Sequence, residues 1–179
     1  MEYIIIKEIT FEKVRKEINA LNSRNLGATK SGAVPMHRTG KDFVGKNKDK
    51  KIIFSSNDDE LNRKIIENEK IEILLLNQAS RKDFQKQRNS GFNHVMAKIA
   101  KNNKIEIGIN LDEITESSPK EKSQILARIR QNIKLCNKAK LKIKFITQKQ
   151  ENQRNIYDLK SLGLILGMPT WMARDLNSE

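Results

Sequence analysis

The sequence predicts an α/β protein with predominantly parallel strands, and three observations carry that reading. Short β-branched runs alternate with longer amphipathic ones along most of the chain. Every interval between successive strands after Lys51 contains a helical pattern, which is what parallel neighbours need in order to cross over. The run Ile71 to Leu76 (IEILLL) is apolar at nearly every position and suits a strand buried on both faces.

Taken in order, Tyr3-Ile4-Ile5-Ile6 is a short buried strand. Thr10 caps a helix through about Asn22 that places Phe11, Val14, Ile18 and Leu21 on one face. Lys51 to Ser55 (KIIFS) is the second strand, and Asp58 opens a helix through Ile65-Ile66. After the strand at Ile71 to Leu76, Ser90 is placed to cap a helix over Phe92 to Asn102. Phe92, Val95, Met96 and Ile99 then face the core, with His94, Lys98 and Lys101 opposite. Lys104 to Asn110 and Lys142 to Thr147 are the remaining strands. Between them Pro119 starts a long helix to Ala139, with Ile125, Ile129, Ile133 and Cys136 on its inner face. Asn155 to Gly167 and Pro169 to Leu176 are the last helices. Residues 27–50 hold four of the eight glycines, Pro35 and a run of lysines, so a basic loop competes there with a short strand at Ala33 to Met36. Five or six strands fall short of a regular eightfold barrel, which takes about 250 residues. The pattern admits a shortened barrel or an open parallel sheet.

The 179 residues suit one domain, residues 1–179, and are enough to bury a core without staples. No apolar run approaches bilayer length, and Ile4-Ile5-Ile6 is too short for a signal sequence. A single cysteine, Cys136, excludes an internal disulfide and a cysteine-based zinc site, so a reducing, cytoplasmic setting is expected.

Lys and Arg number 35 against 22 acids, a formal net charge of +13 that makes a polyanion the first partner to consider. The excess is segregated. Residues 30–51 carry +5, residues 81–104 carry +6, and residues 120–149 carry +9, on a body that is otherwise acidic. The second cluster offers Arg81, Lys82, Arg88, Ser90, His94, Lys98 and Lys101 around a helix start, a natural phosphate site in kind. The third offers Arg130, Lys134 and Lys138 on the outer face of the long helix. With 5% aromatic residues and no aromatic cluster, RNA contact should run through phosphates and shape. Catalytic groups are hard to find. His37 and His94 lack metal-ligand spacing, and neither a phosphate-binding loop motif nor a paired-carboxylate metal motif is present. No catalytic residue and no metal ligand is therefore assigned. A metal-dependent phosphoesterase would want clustered His and Asp at strand ends, and Tyr3 to Glu8 contains neither. A basic barrel whose charge serves only solubility is the third reading.

From Ile71 onward the sequence resembles the archaeal and eukaryotic ribonuclease P protein component 3 family, most strongly over residues 71–179. The resemblance rests on the strand Ile71 to Leu76, on Arg88-Asn89-Ser90-Gly91 with Phe92-Asn93-His94-Val95 after it, and on Gly108-Ile109-Asn110-Leu111. It continues through Tyr157-Asp158-Leu159, Leu162-Gly163-Leu164 and Leu166-Gly167-Met168. Asn89 stands where the family usually has Asp, and Ile156 where it usually has Pro. The resemblance implies a TIM-barrel-like fold related to phosphoesterases, here shortened or incomplete. It also implies a protein subunit of the endoribonuclease that removes 5′ leaders from precursor tRNA. Catalysis in that complex belongs to the RNA and needs magnesium, with no cofactor on the protein, so the isolated chain is expected to be inactive. Its implied partners are ribonuclease P RNA, precursor tRNA indirectly, other ribonuclease P proteins and the small ferredoxin-like component 2, with a heterotetramer as one arrangement. Leu164 and Trp171 are the positions expected to meet a protein partner.

Overall fold

The computed structural model describes residues 3–6, 11–26 and 51–176. Five strands form one sheet in sequence order, all parallel: β1 (Tyr3–Ile6), β2 (Lys51–Ser55), β3 (Ile73–Leu76), β4 (Glu106–Asn110) and β5 (Ile143–Ile146). The helices are α1 (Phe11–Leu26), α2 (Asp59–Asn68), α3 (His94–Asn102), α4 (Leu111–Glu116), α5 (Pro119–Ala139), α6 (Ile156–Ile165) and α7 (Thr170–Asp175). The predicted loop or strand within residues 27–50 lies outside the described residues.

The side chains show that the helices share one face of the sheet. Ile52, Phe54, Leu74, Leu76, Ile107, Ile109 and Ile143 alternate outward and form one cluster with Val14 and Ile18 of α1, Ile65 of α2, Met96 of α3 and Ile125, Ile129 and Ile133 of α5. The intervening residues Ile53, Ile73, Leu75 and Ile146 form a second cluster on the other face, with Ile5 packed against it. Sequential parallel order, helices on one side and apolar side chains on the other define an arc of a (β/α) barrel. Among the described residues β1 and β5 each pair on one side only, so these five strands form an open arc of a TIM-barrel-like fold.

Three local features depart from the sequence-based expectation. Ser90 does not cap α3. It is buried, and its hydroxyl donates to the carbonyl of Phe92 at 3.3 Å, while Asn93 caps the helix by accepting from the N–H groups of Val95 and Met96. The later start rotates the helix. Met96, Ala97 and Ala100 are buried, whereas Val95, expected in the core, is 38% exposed. A short helix, α4, follows β4 directly, capped by Asn110, where the sequence pattern showed only a connection.

The two turns leading into β4 and β5 are copies of each other. Lys104 (φ +58°) and Lys140 (φ +56°) occupy the left-handed position that ends α3 and α5. In each turn the lysine N–H reaches back three residues, to Lys101 and Asn137, and the next N–H reaches back five, to Ala100 and Cys136. This is the Schellman arrangement, in which glycine is the usual occupant. A side chain there costs about 1 kcal/mol.

Candidate nucleic-acid interface

The polar connection from β3 to α3 is held in shape by buried charge. Arg128 of α5 is 1% exposed. Its guanidinium donates to the carbonyls of Gln78 (2.9 Å) and Arg81 (2.7 Å) and to Oδ1 of Asp83 (2.8 Å). Arg81 in turn makes a two-pronged pair with Asp59 of α2 (2.8 and 3.0 Å) and donates to the carbonyl of Asn77 (2.7 Å). Gly91 (φ +66°) passes directly over that pair, where an added Cβ would lie 2.4 Å from Oδ1 of Asp59. Two N–H groups at the start of the connection, those of Gln78 (2.7 Å) and Ala79 (3.3 Å), donate to Glu113. Burial nevertheless raises the Glu113 carboxyl above its ordinary range. Asp83 is held below the usual aspartate range, chiefly by the hydrogen bond from Arg128.

On this frame the exposed cations converge. Lys86, Gln87 and Arg88 form one wall of a groove of about 630 Å³, and Ala127, Arg130, Gln131, Lys134, Leu135 and Lys138 of α5 form the other. Five of its nine lining residues are Lys or Arg and none is acidic, which is the electrostatic condition for holding a phosphate backbone. Its two walls lie at least 39 residues apart in sequence, Arg88 to Ala127. Arg88 lies 3.8 Å from Oδ2 of Asp83, whose Oδ1 accepts from Arg128, and its side chain remains 49% exposed. A neighbouring hollow of about 390 Å³ shares Gln87, Arg88 and Gln131 and adds Asn93 at the start of α3 and Phe84. Phe84 is 61% exposed, a flat apolar surface beside Arg88.

The predicted RNA-contacting residues are thus sorted by the structure. Arg88, Arg130, Lys134 and Lys138 line one groove. Lys82 is exposed on the same connection but lines neither hollow. His94, Lys98 and Lys101 are exposed on α3, and Lys101 donates to the carbonyl of Lys140 at 2.8 Å. Arg81 and Ser90 leave the set of solvent-facing groups, Arg81 because Asp59 and Asn77 consume its donors and Ser90 because it is buried. Missed from the sequence were Lys86, Gln87, Gln131 and Phe84, and the structural role of Arg128. Lys86 was visible in the charge count. Nothing local marked the others.

The C-terminal ends of the strands, where barrel enzymes carry their chemistry, hold an amide ladder. Asn77 donates to Ser55 (3.0 Å) and to Asn57 (3.2 Å), and Asn110 donates to Asn77 (3.2 Å). Next to it, Asp112 accepts from Thr147 (2.6 Å), the Gln148 N–H (2.8 Å) and Asn152 (3.0 Å). Burial alone would raise this carboxyl, but these donors outweigh it and hold it below the usual range. Among the described residues no three His, Cys, Asp or Glu side chains converge as metal ligands. Burial pushes the Cys136 thiol up to about 12, which leaves it unreactive.

Of the two positions expected to meet a protein partner, Leu164 is 52% exposed and sits beside Ile165 at 78%. Trp171 is half-buried, donates to Oδ1 of Asn137 at 3.3 Å, and lies under the Lys140 ammonium. Gly163 admits a close approach, as its sequence suggested, but the approaching group is the chain's own Met168, whose sulfur would lie 2.8 Å from an added Cβ.

An open arc of parallel strands with its helices on one face, and a basic groove without an acid among its lining residues, defines a TIM-barrel-like α/β protein with a basic flank. The family model of RNase P subunit p30 matches residues 47–178, and the chain belongs to that family. It is 23% identical over 128 residues to ribonuclease P protein component 3 of Methanococcus maripaludis, covering 72% of this chain and 51% of that protein. To the component 3 protein of Methanocaldococcus jannaschii it is 28% identical over 103 residues, 56% of this chain and 42% of that one. The chain therefore spans about half the length of the curated relatives it matches. A chain in a cryo-EM structure of archaeal ribonuclease P with mature tRNA superposes with a TM-score of 0.69 at 21% identity, covering 97% of this chain and 63% of the other.

Proposed function

We propose that this chain is an RNA-binding protein subunit of ribonuclease P that supports removal of the 5′ leader from precursor tRNA and supplies no catalytic group itself. The observation that carries the reading is the groove in which Lys86, Arg88, Arg130, Lys134 and Lys138 converge without an acid among its lining residues. Family membership supports ribonuclease P RNA as the partner of that groove, since the matched relatives are ribonuclease P protein components. The amide ladder of Ser55, Asn57, Asn77 and Asn110 supports placing the chemistry elsewhere, on the RNA with magnesium. The exposed Leu164 and Ile165 of α6 suit the pairing surface for the small component 2 subunit, and cytoplasmic tRNA maturation is the matching location.

Reconstitution with the cognate RNA and the other protein subunits tests this. Leader removal should require this chain and magnesium. The double variant Arg130→Glu/Lys134→Glu should fold normally but bind RNA weakly, with a salt dependence shallower by about two. Unchanged RNA affinity in that variant, or chelator-sensitive turnover by the isolated chain, would overturn the proposal.

A further inference from the structure

At the opposite end of the sheet from the amide ladder, a second hollow of about 430 Å³ is lined by Lys101, Lys104, Ile105, Glu106, Lys140, Leu141, Lys142 and Trp171. Its construction follows from the sheet register. Ile107 of β4 pairs with Ile143 of β5, so Lys104 and Lys140, each three residues earlier, occupy the same position in two adjacent turns. Both lysines adopt the left-handed conformation that Gly or Asn takes at less cost. Favourable interaction with the helix C-termini does not explain the choice. Lys101 and Lys138 already supply a cation to the last turn of α3 and α5.

The charges in the hollow are unequally committed. Lys142 pairs with Asp175 (3.4 Å), and Glu106 is drawn to Lys144 (3.6 Å). Lys101 is spent on the Lys140 carbonyl. Among the described residues neither Lys104 nor Lys140 has an acidic partner, and the Lys140 ammonium stands 5.5 Å from the centre of the Trp171 ring. The Trp171 ring is fixed in turn by its hydrogen bond to Asn137. Two ammonium groups without an acidic partner, held by costly backbone beside an immobilised indole, match the two faces of a nucleotide: an anionic phosphate and an apolar base. We infer that this hollow is a second nucleic-acid site, in which Lys104 and Lys140 hold phosphate of a single strand and Trp171 gives its base an apolar floor. Lys138 lines the groove and Lys140 lines this hollow, two residues apart at the end of α5. The inference stands on its own chemistry and survives if the groove binds nothing.

Trp171 is the only tryptophan in the chain and therefore reports on the site by itself. A short oligouridylate, which does not absorb where indole is excited at the red edge, should quench its emission saturably, and salt should reverse the quench. Lys104→Asn/Lys140→Asn should weaken this binding by about tenfold and make its salt dependence shallower by about two. The same variant should melt a few degrees higher, because Asn accepts the left-handed turn more readily. If it melts lower instead, Lys104→Gly and Lys140→Gly remove the charges with the least conformational demand, and the same loss of quenching is expected. Arg130→Glu/Lys134→Glu should retain the quench, which separates this site from the groove. The inference fails if oligouridylate leaves Trp171 emission unchanged, if the lysine variants bind as the parent does, or if inorganic phosphate at equal phosphate concentration quenches equally.

Discussion

Arg128 and Arg130 are two residues apart on α5, yet the first is 1% exposed and bonded three times to the connection after β3, while the second faces solvent in the groove. The same division separates Arg81, fully engaged with Asp59 and Asn77, from Arg88 a few residues later. One population of basic side chains builds the surface; the other is displayed on it. A count of charge along the chain adds them together, because both raise the local total by one. What separates them is long-range. Arg128 finds Asp83, 45 residues away, and a guanidinium with three well-placed acceptors is worth burying.

The sharpest way to break this comparison is to remove each arginine in turn. Arg128→Ala leaves Asp83 and two carbonyls without their donor, and should cost about 4 kcal/mol in urea unfolding. Arg130→Ala should stay within about 0.5 kcal/mol. If Arg128→Ala were as mild, the buried guanidinium would not be what fixes the loop.

Gly91 tests the same frame from the other side. Gly91→Ala must place a methyl group against the Arg81–Asp59 pair and hold φ at +66°, so a loss of roughly 2 to 3 kcal/mol is expected. Gly167 also has positive φ (+93°), but nothing lies within 4 Å of an added Cβ. Gly167→Ala should cost only about 1 kcal/mol, the backbone term alone. Equal losses at the two positions would mean that the crowding at Gly91 is relieved without penalty.

Much of the fold was legible because it is written locally. The strand at Lys51 to Ser55, the one expected at Ile71 to Leu76 and found at Ile73–Leu76, the Asp58 cap and the Pro119 start all rest on residues within a few positions of each other. The α3 start was misplaced because two good capping residues, Ser90 and Asn93, lie within one turn. The choice between them depends on the buried Ser90 and on Gly91 crossing Arg81, neither of which is a local property. The groove was half legible for the same reason. Helical periodicity placed Arg130, Lys134 and Lys138 on one face of α5, but only the folded connection brings Lys86, Gln87 and Arg88 opposite them.

Acid should weaken the frame before it touches the display. Asp83 and Asp112 have folded-state pKa values below their ordinary 3.8, so their contributions are complete above that value and are lost as pH falls through the lowered ones. Glu113 runs the other way: its pKa is raised above 4.5, so ionising it costs stability as pH rises through the raised value. Urea midpoints from about pH 3 to pH 7 should therefore fall at the acid end. Asp112→Asn and Asp83→Asn should each flatten that arm. Glu113→Gln should remove the opposing trend at its upper side. An unchanged acid arm in both aspartate variants would show that these networks do not carry the pH dependence.

The smallest effect on stability is expected where an apolar residue, rather than a charge, is displayed. Leu164 is half-exposed on α6 beside the more exposed Ile165 and Tyr157, and substituting it leaves no buried partner behind. Trp171 is also partly exposed, but it holds the Asn137 hydrogen bond and lies beneath Lys140, so it belongs to the frame. Leu164→Glu should thus shift stability by no more than about 0.5 kcal/mol, whereas Trp171→Glu should cost about 2 kcal/mol or more. Circular dichroism melts measure both. Co-elution with the component 2 subunit then asks what the display is for. If the α6 patch is the pairing surface, Leu164→Glu stays folded and loses its partner, because a carboxylate would have to be buried unpaired when the two proteins meet. A folded Leu164→Glu that still co-elutes would place the pairing surface elsewhere on the chain and leave Leu164 as an ordinary exposed leucine.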